Sequence, residues 1–95
     1  MGGSTGDYTV QPLDHYVYGD PISADITFTL PDSNDSVGRE LFIYRLGGPH
    51  NLIVQAHPND LINGVASKTL STTWSGLHLI CLYPFTWVAT LLTPA

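Results

Sequence analysis

Residues 77–92 read Leu77-His78-Leu79-Ile80-Cys81-Leu82-Tyr83-Pro84-Phe85-Thr86-Trp87-Val88-Ala89-Thr90-Leu91-Leu92. Pro84 divides the stretch into two short runs rich in apolar, β-branched and aromatic residues, the pattern of buried strands. A membrane-crossing helix needs about 18 or more uninterrupted apolar residues. This stretch is shorter, carries His78, Pro84, Thr86 and Thr90, and lacks flanking Lys or Arg. Two strands joined by a turn near Pro84 explain it better. Successive strand side chains point to opposite faces, so both faces of each strand are apolar.

The same reading extends toward the N-terminus. In residues 24–30, Ile26, Phe28 and Leu30 alternate with Asp25, Thr27 and Thr29, as in a half-buried strand. Pro31 stops it, because proline cannot donate to a ladder. Residues 31–36 are a loop by composition. Residues 39–46, 52–56 and 68–71 read as further strands, and Gly47-Gly48-Pro49 as a turn. Asn63-Gly64 is a strong tight-turn pair. No window shows a helical period. Turn signals every 8–12 residues predict an all-β fold, a small antiparallel β-sandwich or barrel-like domain over residues 22–95.

Residues 1–21 stand apart. Residues 1–6 are Gly, Ser and Thr apart from Met1, and residues 7–21 hold Tyr8, Val10, Leu13, Tyr16, Val17 and Tyr18 with Pro12 and Pro21 and no clear period. They are expected to form an extended N-terminal arm that docks on a partner; an edge strand of the same domain is the competing expectation.

Bulk composition sharpens the question of partners. The chain has 95 residues, one cysteine, 43% hydrophobic residues and 12% charged residues. That charge content is about half the usual share of roughly 25%. Cys81 has no disulfide partner within the chain, and a domain this small has a thin core. Strands apolar on both faces and a surface poor in charge point to a homo-oligomer, with Phe42, Tyr44, Leu79, Leu82, Trp87 and Leu91 in the core or subunit interface. The net charge of −5 and the scattered Arg39, Arg45 and Lys68 argue against nucleic acid. No membrane partner is expected.

Candidate chemistry is sparse. Adjacent Asp14 and His15 would face opposite ways in a strand and form no dyad. Ser67 and Ser71 lack a nucleophile-elbow context. Asp25, Asp32 and Asp35 lack calcium-loop spacing, and His50 and His57 read as exposed loop histidines. Cys81 reads as a small buried hydrophobe. The expectation is no enzyme, no catalytic residues, no metal and no cofactor.

The ordered set Ala24-Asp25-Ile26-Thr27-Phe28-Thr29-Leu30-Pro31-Asp32, Gly38-Arg39-Glu40-Leu41-Phe42-Ile43-Tyr44-Arg45, Asn51-Leu52-Ile53-Val54-Gln55-Ala56, Leu61-Ile62-Asn63-Gly64, Thr69-Leu70-Ser71, Leu77-His78-Leu79-Ile80 and Trp87-Val88 resembles a β-domain of bacteriophage structural proteins. Such domains occur in capsid decoration (cement) proteins, head fibres and tail-fibre or tailspike tips. The resemblance covers about residues 24–90. It departs at Tyr83-Pro84-Phe85-Thr86, where such domains carry a polar turn. It implies a homotrimer. Read as a complete, free-standing chain without a shaft, the protein is expected to be a decoration protein. It would bind the major capsid protein on the capsid surface of the virion and stabilise the shell. A receptor-binding tip of a tail fibre or spike is the alternative.

Overall fold

The computed structural model describes residues 2–4, 6–11 and 14–93. Among the described residues ten strands form two sheets. They are β1 (Gly2–Ser4), β2 (Tyr8–Thr9), β3 (Tyr16–Gly19), β4 (Ile26–Thr29), β5 (Glu40–Arg45), β6 (Leu52–Gln55), β7 (Leu61–Ile62), β8 (Ser67–Leu70), β9 (Gly76–Tyr83) and β10 (Thr86–Leu92). The larger sheet, sheet A, has the order β1-β3-β5-β9-β10-β7, and the smaller, sheet B, β2-β4-β6-β8. The only helical turn among the described residues is a 3-10 turn at Ser33–Asp35, capped by the Asp32 carboxylate accepting from Asn34 N–H.

The all-β sandwich-like fold follows from alternation. β4, β5 and β6 each bury every second side chain. Ile26, Phe28, Leu52 and Val54 from sheet B meet Val17, Leu41, Ile43, Leu77, Leu79, Cys81 and Trp87 from sheet A in one core. Asn63 and Gly64 both take positive φ, 50° and 85°, the backbone a type I′ turn demands. Ile62 and Val65 exchange two hydrogen bonds around it. At the other tight turn Pro84 precedes Phe85 at φ 67°, a position where a bulky residue is strained.

Two expectations change in detail. Pairing is mixed, not antiparallel throughout. β5–β9, β9–β10 and β6–β8 are antiparallel, whereas β1–β3, β3–β5, β2–β4, β4–β6 and β7–β10 are parallel. Apart from the β9–β10 hairpin, successive strands fall in different sheets, so neighbours in sequence are not neighbours in a sheet.

The second change concerns the arm. Residues 7–11 and 14–19 are built into both sheets, and no structural division falls at residue 21. β3 lies between β1 and β5, and β2 extends sheet B beside β4. Val10 and Val17 are buried in the core and Tyr8 packs against it, so these three do not present a docking surface. Arg39 locks the segment down by donating to the carbonyls of Gln11 and Asp14. Tyr16 and Tyr18 do point outward. Leu13 lies outside the described residues.

Candidate functional site

The outer face of sheet A is where exposed chemistry concentrates. On β3, β5, β9 and β10 the side chains that turn away from the core include Tyr16, Tyr18, Glu40, Phe42, Tyr44, His78, Ile80, Val88 and Thr90. Cross-strand pairing sorts them into rows: Tyr16, Phe42, His78 and Thr90 in one, Glu40, Ile80 and Val88 in the next. The first row is a stack. The Phe42 ring lies 4.9 Å from Tyr16 and 4.5 Å from His78, nearly parallel to both. Tyr44 lies parallel to Phe42 at 6.5 Å. His15 meets the edge of the stack at Tyr16. Parallel rings on adjacent strands turn their faces to one another and their edges outward.

Two features fix this stack. Tyr44 pairs with Gly76 in register and lies over it: a Cβ at residue 76 would come within 2.6 Å of the ring. Glycine is therefore required there. His78 Nε2 lies 2.6 Å from Glu40 Oε1, and this contact orients the imidazole against Phe42. Among the described residues this face holds neither Lys nor Arg.

Of the residues expected in the core or interface, Leu79 and Trp87 are fully buried. Phe42 and Tyr44 are half-buried on the stack. Leu82 and Leu91 are 53% and 59% exposed and do not belong to the core of the single chain. Leu82 sits at a register irregularity before the Pro84 turn. Leu91 lies at the open edge of β10, beyond the point where the Asn63 side chain closes that edge by exchanging two hydrogen bonds with the Ala89 backbone.

The remaining titratable groups have local duties. Asp14 turns inward to the Tyr8 hydroxyl and Gln11 N–H, while His15 turns outward to the Glu40 carbonyl. Burial works against the Asp14 charge, but those two hydrogen bonds are the chief influences holding its pKa below the ordinary carboxylate value. Burial, then the nearby Asp60 charge, pushes the Cys81 thiol up, the opposite of what activates a nucleophile. His50 lies 4.0 Å from Asp25. Asp25 and Asp32 stand at opposite ends of β4, so they share no calcium site. Asp32 instead meets His57 and Asp60, with one ligand atom from each within 4.8 Å of the others. Sequence reasoning missed this trio, because residues so far apart meet only once β4 and β6 pair.

A polar groove of about 380 Å³ lies on sheet B, lined by Asp7, Tyr8, Thr9, Thr27, Thr29 and Gln55. It gathers hydroxyl and amide groups but no base or nucleophile pair. Comparisons with protein-family models, with curated proteins and with solved structures find no match to this chain.

Proposed function

We propose that this protein is a structural assembly module, a homotrimer whose subunits associate through the outer face of sheet A. The observation that carries the reading is the ring stack of Tyr16, Phe42 and His78 with its apolar surroundings. Water normally meets a polar outer face in a sheet of this kind. Contiguous apolar surface of this type marks a protein contact, and aromatic side chains are favoured in such contacts.

The stack also bears on what kind of contact it is. Stacking a sugar on an aromatic ring requires an exposed ring face, and at the centre of the stack both faces of Phe42 are covered, by Tyr16 and by His78. Ring edges flanked by Ile80 and Val88 suit interdigitation with another protein surface. Together with the resemblance of residues 24–90 to virion β-domains, this favours capsid decoration over glycan recognition by a fibre tip. In that role the trimer sits on the outer capsid surface against the major capsid protein.

Light scattering and native mass spectrometry at micromolar concentration test the assembly. The expected mass is three chains, and a stable monomer overturns the reading. Cosedimentation with capsids lacking the protein tests the setting, and a trimer that stays in the supernatant removes the decoration role.

A further inference from the structure

At one end of the sandwich, away from the sheet A stack, Asp32, His57 and Asp60 converge. β4 and β6 run parallel and in register, so their C-terminal ends finish side by side. Asp32 follows the first and His57 the second. Asp60 closes the same loop just before β7. Each group is held in place. Asp60 is only 3% exposed and accepts from Ser33 N–H at 2.9 Å and Ser33 Oγ at 2.7 Å. Ser33 Oγ is itself fixed by Phe85 N–H at 2.8 Å. One Asp32 oxygen is engaged by Asn34 N–H, which leaves the other for a ligand. His57 Nδ1 lies 3.3 Å from the Pro58 carbonyl, which steadies the ring.

Charge makes the cluster more than a chance meeting of loops. Asp60 is a buried carboxylate beside a second carboxylate, and its hydrogen-bond donors are neutral. None of the three Lys and Arg side chains offsets it. Arg39 binds the carbonyls of Gln11 and Asp14. Arg45 is buried against the carbonyls of Leu46, Gly48 and His50. Lys68 lies on the far side of β6, beside Leu70, Leu77 and Leu91. Buried charges in proteins are paired or coordinate metals.

We propose that Asp32, His57 and Asp60 form a zinc site that ties the loop after β4 to the loop after β6. Two carboxylate oxygens and one imidazole nitrogen suit Zn²⁺, which takes three protein ligands with water in a fourth position. Ca²⁺ requires six to eight oxygens and Mg²⁺ keeps most of its waters, so neither matches a set that includes imidazole. Ligand atoms around tetrahedral zinc stand about 3.4 Å apart for bonds near 2.05 Å. A separation within 4.8 Å therefore closes by small side-chain rotations. The Ser33 hydrogen bonds to Asp60 are the outer-shell support such a site needs.

The test is calorimetric titration of the EDTA-stripped full chain with ZnCl₂ at pH 7.5, with CaCl₂ in parallel. One Zn²⁺ per chain is expected, and no calcium heat. Asp32→Asn keeps an acceptor for Asn34 N–H and His57→Gln leaves Asp60 in place; each removes a direct ligand and weakens zinc binding by more than the roughly 10–100-fold that loss of an outer-shell partner costs. His50→Gln leaves it unchanged. Zinc-induced amide shifts in the unsubstituted chain should centre on residues 32–35 and 57–61, a readout independent of whether the variants fold. Absence of saturable binding, shifts centred elsewhere, or affinity retained in folded Asp32→Asn and His57→Gln chains overturns the proposal.

Discussion

Trp87 has no exposed surface, and its Nε1–H meets no acceptor among the described residues. The ring thus contributes by packing alone. Trp87→Ala should cost about 3–5 kcal/mol in a denaturant melt. Trp87→Phe should cost clearly less, because it keeps most of the packed ring while also removing a buried donor that carries a penalty of about 1–3 kcal/mol. Equal losses in the two variants would show that packing of the ring is not what Trp87 contributes. Asp14 gives a second residue-scale outcome. A carboxylate whose folded pKa is depressed adds stability above its unfolded value, near 3.8, and loses it as pH falls through the folded value. Asp14→Asn should therefore destabilise at pH 7 and narrow the gap to wild type on acidification below about 3.8. A gap that widens in acid would mean that Asp14 is not the group holding Tyr8 and Gln11 together. Both residues lie in plain patterns, yet only the indole was legible from the sequence. Asp14 gains its partners Tyr8 and Gln11 through a return of the side chain that composition does not reveal.

At the scale of elements, strands were legible wherever a short run alternates or is apolar throughout between turn residues. Alternation marks β4, and short apolar runs bounded by turn residues mark β5, β6, β9 and β10, each to within a residue or two of the observed bounds. Pairing was not legible, because parallel neighbours such as β4 and β6 leave no local turn between them for the sequence to announce. The N-terminal segment shows the same limit. Tyr16-Val17-Tyr18-Gly19 does alternate, with Val17 and Gly19 inward, but four residues flanked by proline-rich sequence carry too few positions to separate a strand from an arm. The Asp32, His57 and Asp60 cluster was hidden for the reason that hid the pairing. Since β3 covers one edge of β5 and supplies Val17 to the core, deleting residues 1–20 should unfold the domain rather than release a docking arm. Loss of the far-ultraviolet β signal and of the cooperative melt is the expected result. A truncated chain that still melts cooperatively would mean that sheet A is stable from β5 onward.

The whole molecule has two unlike outer faces. Sheet A presents Tyr16, Phe42, Tyr44, Ile80 and Val88, whereas sheet B presents Thr27, Thr29, Gln55, Ser67 and Thr69, with Ile53 alone among them. A threonine-rich face is compatible with water, and an aromatic one is costly to leave wet. The difference is directional: one face is suited to the subunit contact and the other to the exterior of the assembly. Placing one charge on each face separates the two roles. Val88 is exposed at the margin of the ring stack and outside the core, so Val88→Asp should leave the chain folded. Burying an unpaired carboxylate against a second apolar surface costs several kcal/mol, so light scattering should show dissociation toward single chains. Thr29→Asp places the same charge on sheet B and should leave the assembly mass unchanged. If both variants keep the wild-type mass, sheet A is not the contact. If Thr29→Asp alone dissociates the assembly, the faces are reversed and the polar groove of sheet B, not the ring stack, is where subunits meet.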